Sequence, residues 1–183
     1  MDILSAIETR RSAARLTDPG PIPDDLEKIL AAGLNAPDHG RLSPCRYIVI
    51  EGAAREVLGQ AMADARQRAL PDAPPSDIEG TRLKAFRAPT IVVAAAKIEK
   101  GGKIPEIEQV ISVAAAVENM FLAAHGLGYG VMWKTGAPAY DAGVKKALGL
   151  APEDHIVAFL YLGTLVKHGP AAPRDLKAAT RRL

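Results

Sequence analysis

The hydrophobic positions of this chain follow two kinds of spacing. Where they recur every three or four residues they predict helices, and where they are contiguous and β-branched they predict strands. The predicted helices cover residues 3–12, 24–36, 54–70, 78–86, 106–125 and 141–148. The predicted strands cover residues 46–50, 90–95, 129–133 and 155–162. Because helices and strands do not alternate regularly, this order favours an α+β fold or a mixed sheet over a doubly wound parallel sheet.

One predicted helix is far more apolar than the others. Between residues 110 and 124 its only polar side chains are Ser112, Glu118 and Asn119. A helix with apolar residues around its whole circumference is buried on every side. In a chain of this size we expect it to be either the central helix of the core or half of a subunit interface.

Proline and glycine mark the connections between the predicted elements. Residues 17–23 contain three prolines and a glycine, which predicts a loop. Residues 71–76 also contain three prolines and predict a flexible connector or a lid. Residues 38–46 are interrupted by Gly40 and Pro44 and predict an ordered loop.

The composition limits the class of protein. With 183 residues, 48% of them hydrophobic and 24% charged, and without an internal repeat, we predict a single domain over residues 1–183. A formal net charge of +2 is too small for a nucleic-acid-binding surface. The single cysteine, Cys45, excludes an internal disulfide and favours a reducing, cytoplasmic location. The first residues do not resemble a signal peptide and apolar runs such as 91–96 are too short to cross a bilayer, so we expect no membrane partner.

The most informative short string is Arg10-Arg11-Ser12, with Arg15 close behind it. Guanidinium groups donate paired hydrogen bonds to phosphate oxygens, so the string suits a phosphate monoester. Cations at the end of a helix also complement the helix dipole. On these residues alone, both interpretations stay open.

Other kinds of chemistry find little support in the sequence. The four histidines are scattered without metal-ligand spacing, so we expect no metal. Gly126, Gly128 and Gly130 resemble a dinucleotide-binding turn, but they follow a helix and precede a strand, which is the reverse of the required order. Cys45 follows Pro44 into a strand, where a lone cysteine is usually buried and inert. An enzyme with a cationic site but neither nucleophile nor metal would leave its chemistry to an organic cofactor.

Four segments of the chain carry a resemblance to a known family. They are an arginine–serine string with its continuation, a loop that begins Ala-Pro and ends in Pro, the end of the long helix, and the end of the last strand: residues 10–15, 36–44, 118–128 and 161–164. In this order they resemble the flavin-dependent nitroreductases, most closely the small, YdjA-like NAD(P)H nitroreductases. The chain departs from the common pattern at Ala14, which replaces a basic residue, and in the loop at Asp38, His39, Ser43 and Cys45.

The resemblance implies an architecture and a set of contacts. It implies an α+β fold with a mixed, mainly antiparallel sheet flanked by helices, in an intertwined homodimer that holds FMN at its interface, the loop at His39 reaching the flavin ring from the partner subunit. The implied FMN contacts are Arg10, Arg11, Ser12, Asn35, His39, Trp133, Lys134, Thr135 and Arg174. The implied NAD(P) contacts are Phe121, Leu122, Ala123, Ala124, His125 and Gly126, a segment that by periodicity also fits a plain core helix.

The implied function is that of a ping-pong oxidoreductase. NAD(P)H would give a hydride to FMN, and a nitroaromatic, quinone or similar acceptor would then take the electrons, with no side chain acting as acid or base. Three alternatives remain. One is a non-catalytic flavin-binding or storage protein, another is a flavin-modifying enzyme on the same fold, and the third is a protein whose arginines hold a nucleotide or a partner's phosphate.

Overall fold

The computed structural model describes residues 1–170 and 175–182. Its elements, in chain order, are α1 (Ile3–Thr9), β1 (Ala13–Thr17), α2 (Pro23–Leu34), a 3-10 turn (His39–Arg41), β2 (Cys45–Glu51), α3 (Ala54–Ala69), α4 (Pro75–Arg82), a second 3-10 turn (Leu83–Phe86), β3 (Thr90–Ala96), α5 (Glu106–Gly126), β4 (Gly130–Lys134), α6 (Ala137–Tyr140), α7 (Ala142–Ala147), β5 (His155–His168) and α8 (Leu176–Ala179).

The sheet is organised around β5. This strand of 14 residues pairs with β3 over residues 155–162, with β4 over 159–163 and with β1 over 164–168. β2 adds to the outer side of β3, and every one of these pairs is antiparallel. The expected α+β fold, with an antiparallel sheet flanked by helices, is therefore confirmed.

Two apolar layers cover the two faces of the sheet. In β3 the side chains alternate, so that Ile91 and Val93 join one layer while Val92 and Ala94 join the other. Helices α3 and α7 close the first layer, and α2 and α5 close the second. All seven residues of β3 are buried, which explains why this strand is apolar without alternation.

Helix α5 fills the centre of the second layer, but only on one side. Val113, Val117 and Met120 are fully buried against the sheet and α2, whereas Ile107 and Ile111 are exposed. The prediction of burial on every side is therefore wrong for this chain alone. Among the helices of the described residues, α5 is the one whose length and composition would also suit a membrane span, and here it is a helix of the core.

The largest departures from the predicted elements lie at the two ends of the chain. The first helix ends at Thr9 instead of running through the arginine string, and the strand β1 was not predicted. β5 continues six residues past its predicted end at Leu162, and this extension is the part that pairs with β1. The arginine string therefore connects a helix to a strand instead of ending a helix.

Candidate functional site

Arg10 is fixed in place by α5. Helix α1 begins at the cap residue Asp2, whose Oδ1 accepts the N–H groups of Leu4 and Ser5 at 3.1 Å, and it ends where Arg10 turns into extended backbone. The Arg10 Nε lies 3.1 Å from Glu118 Oε1, and its guanidinium carbon lies 4.5 Å from the centre of the Phe121 ring. Only 18% of the Arg10 side chain is exposed. A carboxylate and a ring face therefore orient this guanidinium before any ligand binds.

Arg11 and Ser12, in contrast, are exposed. Their position is set by the backbone, because the Ser12 carbonyl accepts the Gly169 N–H at 2.8 Å and Ala13 pairs with His168. In the part of the chain that the structure describes, Arg11 forms no salt bridge. A guanidinium and a hydroxyl, both exposed, thus lie on consecutive residues at the junction of β1 with the end of β5.

A group of cations continues this positive surface along β1. Arg15, Arg87 and Lys134 line a cavity of about 470 Å³ together with the backbone of β1. Across residues 1–170 and 175–182 none of these three cations has a carboxylate partner. Unpaired cations around a concave surface attract anions. Arg87 was not foreseen as part of this surface, because no motif surrounds it.

The loop that carries His39 is held in an unusual conformation. Arg41 and Ser43 have φ values of +55° and +50°, in the left-handed region that few residues other than glycine occupy. The Ser43 N–H donates to Asp38 Oδ2 at 2.7 Å, and His39 Nδ1 pairs with a Glu108 carboxylate oxygen. The His39 side chain is 66% exposed, so its ring is held at one nitrogen and open to a ligand on its surface.

The predicted cofactor residues do not all converge within one chain. His39 contacts α5 at Glu108 and Arg10 contacts it at Glu118. Ten residues of helix separate these two contacts by about 15 Å along the axis. Asn35 caps the C-terminal end of α2, where its Nδ2 donates to the Ala31 carbonyl at 2.9 Å.

The residues at the end of β4 divide between the two faces of the sheet. Trp133 is half-buried in the second apolar layer, between the sheet and α5, and its Nε1 donates to the Val157 carbonyl at 3.3 Å. Lys134 and Thr135 are exposed, and they are followed by Gly136 with φ +95°, where a residue with a Cβ would be strained. The indole therefore has a packing role of its own, and Lys134 and Thr135 are the members of this trio that have free side chains.

The segment predicted to bind NAD(P) is largely part of the core. Phe121 and Ala124 are buried, Leu122, Ala123 and His125 are partly exposed, and Gly126 is exposed. His125 Nε2 lies 3.0 Å from Thr9 Oγ1, and burial, together with the nearby His168 and Arg10 side chains, lowers the pKa of its ring. Arg174 lies outside the described residues.

Comparison with known proteins decides the family. A model of the nitroreductase family matches residues 7–164. The chain belongs to the nitroreductase family. It is 40% identical over 164 residues to YdjA of Escherichia coli (strain K12), whose assignment as an NAD(P)H nitroreductase is itself inferred, and the match covers 90% of this chain and 88% of YdjA. A Haemophilus influenzae protein with the same inferred assignment is 32% identical over 90% of this chain and 89% of its own.

Solved structures agree with this nitroreductase assignment. A nitroreductase-like protein from Bacillus cereus superposes with a TM-score of 0.85 at 24% identity, covering 100% of this chain and 96% of that one. A nitroreductase-like protein from Desulfovibrio desulfuricans, solved in complex with FMN, gives a TM-score of 0.78 at 25% identity, covering 100% and 97%. The resemblance drawn from four short segments is thereby confirmed at the level of family and fold.

Two features of this nitroreductase bear on chemistry that the sequence had left open. The thiol of Cys45 is half-buried, and burial raises its pKa, which disfavours the reactive thiolate. Within the described ranges, no group of three or more histidine, cysteine, aspartate or glutamate side chains could hold a metal ion. The contact of Glu118 with Arg10 was not foreseen either, because the two residues are 108 positions apart in the chain.

Proposed function

We propose that this nitroreductase-family protein is an FMN-dependent oxidoreductase that uses NAD(P)H to reduce nitroaromatics, quinones or similar acceptors by a ping-pong mechanism. The observation that carries the proposal is the pair of free donors at Arg11 and Ser12, which continues into the unpaired cations around β1. The inferred NAD(P)H nitroreductase assignment of its relatives and the FMN complex of the Desulfovibrio protein support it. We expect the protein to work in the cytoplasm.

The residues present suit a phosphorylated flavin. A phosphate monoester needs a fork of N–H donors and a hydroxyl, which Arg11 and Ser12 offer, while Arg10, already bound to Glu118, fixes the course of the backbone. Arg174 is a further candidate for the phosphate. When bound, FMN supplies reversible hydride transfer at its ring, which no side chain of the chain could perform.

The protein's own contribution would be position and charge. Trp133 and Thr135 would support the ring at the end of β4, and Lys134 would stabilise the negative charge that develops on it, since fixed cations act strongly where water is excluded. The nicotinamide nucleotide would approach the segment from Phe121 to Gly126, where His125 and Gly126 offer accessible surface.

A second copy of the chain would complete this site. Along α5, about 15 Å of helix separates the contact of His39 from that of Arg10, so a cofactor beside Arg10 would receive His39 from another subunit. Exposed apolar side chains belong to α1 and to the first turns of α5: Ile3, Leu4, Ile7, Ile107 and Ile111. Burying them would remove the free apolar face of α5, and we therefore propose a homodimer. Sedimentation at micromolar concentration tests it, and a stable monomer would contradict it.

FMN binding and flavin reduction together test the proposed function. We expect purified protein to bind FMN, and anaerobic NADH or NADPH to bleach its absorbance until an acceptor restores it. Arg11→Ala should weaken FMN binding by at least about tenfold, because a hydrogen bond to a charged group is lost. Lys146→Ala removes an exposed cation of α7 and should leave FMN binding unchanged.

Each alternative function predicts a different result in this test. A storage protein would bind FMN without bleaching, a flavin-modifying enzyme would consume FMN, and a general anion-binding protein would bind AMP as well as FMN. Any of these results would contradict the proposal.

A further inference from the structure

A larger cavity lies on the face of the sheet that α5 does not cover. Its volume is about 610 Å³, and α3, α4, α6 and the neighbouring strands β4 and β5 enclose it. Its apolar wall consists of Met62, Ala65, Phe159 and Tyr161, which belong to the core layer beneath α3. Arg10, His39 and Trp133 do not line it, and Lys134 and Thr135 are the predicted cofactor residues that do.

Tyr161 places an unpaired hydroxyl at this cavity. The residue is only 2% exposed, yet its hydroxyl has no hydrogen-bond partner among the described residues. Because this oxygen is not among the unpartnered side-chain atoms that are sealed from solvent, it opens to the cavity, where a ligand can accept its hydrogen bond. Burial raises the pKa of Tyr161 to about 12, although Arg87 opposes the shift. The phenol is therefore protonated at neutral pH and can donate a hydrogen bond.

The rim of the cavity carries more positive charge than its own carboxylate can balance. Lys84, Arg87 and Lys134 line it and have no salt bridge within the described chain. The one carboxylate in the lining, Asp141, is bound to Arg68 at 2.6 Å. The remaining cation, Arg66, lies 2.7 Å from Asp77. Three cations thus face a partly apolar cavity without a carboxylate partner among residues 1–170 and 175–182.

We propose that this cavity is a binding site for a planar aromatic anion, a ring that carries a carboxylate or phenolate oxygen. The ring would lie on Met62 and Phe159, and the oxygen would accept the Tyr161 hydroxyl and a charged hydrogen bond from Arg87 or Lys84. The site is distinct from the predicted phosphate site at Arg11 and Ser12, and ligand binding to it requires neither FMN nor electron transfer.

Calorimetric titration of FMN-loaded protein with 2-naphthoate and its neutral isostere 2-naphthamide tests this site. We expect the carboxylate to bind at least about tenfold more tightly than the amide, as loss of a charge-assisted hydrogen bond implies. Tyr161→Phe and Lys84→Gln should each weaken naphthoate binding several-fold. The matched controls are Tyr129→Phe, whose hydroxyl bonds Asp25 on the α2 side, and Lys146→Gln on α7, and neither should change naphthoate binding.

Two further measurements locate the probe. The methyl resonance of Met62 should shift on addition of naphthoate, because an aromatic ring would lie against it, and excess FMN should not displace naphthoate. Equal affinity for acid and amide would overturn the proposal, as would unchanged binding in both Tyr161→Phe and Lys84→Gln. Displacement by FMN would overturn it too, since the cavity would then belong to the cofactor site. FMN binding, measured separately, distinguishes these failures from failure of the proposed function.

Discussion

Arg10 and Arg11 are adjacent in sequence, yet we expect the replacement of Arg10 to destabilise the apoprotein and that of Arg11 to leave its stability almost unchanged. Arg10 lies against the Phe121 ring and Glu118 and is largely buried, whereas Arg11 is exposed and unpaired among the described residues. Arg10→Ala should therefore destabilise the protein in the absence of any ligand. Arg11→Ala should change the free energy of unfolding by less than about 0.5 kcal/mol, the usual range for a surface substitution.

The magnitude for Arg10→Ala follows from its three contacts. A partly desolvated cation–π contact contributes about 1 kcal/mol. The ion pair contributes only about 0.5 kcal/mol, because Glu118 is 43% exposed and water screens the charges. The buried aliphatic stem contributes about 1 kcal/mol more. After the regained rotamer freedom of the side chain is deducted, we expect a loss of about 2 kcal/mol.

Urea denaturation of the apoprotein measures this difference. With an m-value of about 2 kcal/mol/M, Arg10→Ala should lower the midpoint by about 1 M, and Arg11→Ala should leave it within about 0.25 M. A double-mutant cycle with Glu118→Gln isolates the ion pair and should give a coupling of about 0.5 kcal/mol. Equal midpoints for Arg10→Ala and Arg11→Ala would refute the assignment of a positioning role to Arg10.

Three further predictions concern stability. Gly33→Ala places a Cβ 2.5 Å from the Tyr47 hydroxyl, a buried group without a hydrogen-bond partner among the described residues. Overpacking of about 1–3 kcal/mol should outweigh the helix-propensity gain of about 1 kcal/mol. Urea denaturation should show that adding Tyr47→Phe recovers most of the lost stability. Gly80→Ala meets no atom within 4 Å on α4 and should raise stability by about 0.5–1 kcal/mol in the same assay; a loss would contradict this reasoning. Burial would raise the pKa of Asp141, but hydrogen bonds led by the Val144 N–H outweigh it and hold the pKa below its usual value. The stability that Asp141 contributes is thus present above its unfolded-state pKa and is lost as the pH falls through its folded-state pKa. Asp141→Asn should therefore make the free energy of unfolding depend less steeply on pH between about pH 5 and pH 1, as measured by circular dichroism. An unchanged pH dependence would contradict this reasoning.

The long and strongly patterned elements were accessible from the sequence. β3 and α5 were predicted to within one residue of their ends because apolar runs of that length allow few alternatives. β1 was missed because only Ala13 and Leu16 of its five residues are buried, which leaves no period-two pattern to detect. Its existence depends on the extension of β5, which was not predicted because the run of buried residues ends where exposed residues begin at Thr164.

Only those residues of the candidate site that belong to a short sequence motif could be predicted. The string at Arg10 and the loop at His39 carry local signals, so they could be singled out. The roles of Glu118 and Tyr161 depend on contacts between distant parts of the chain. The sequences that flank these two residues do not differ from those of ordinary core segments. The split of Trp133 and Lys134 between opposite faces follows from strand geometry, and it becomes visible once β4 has a register with β5.

The pairing of β1 with the far end of β5 also has a consequence for how the protein is made. Ala13 lies beside His168, so the backbone of β1 has no strand partner until β5, much later in the chain, has been synthesised. Until then β3 and β4 lack their common neighbour as well, because both pair with β5. Such distant pairings slow folding and leave strand edges open in the nascent chain. The segment that carries Arg11 and Ser12 would therefore become ordered only after β5 has been synthesised, and the proposed FMN site could not form before then.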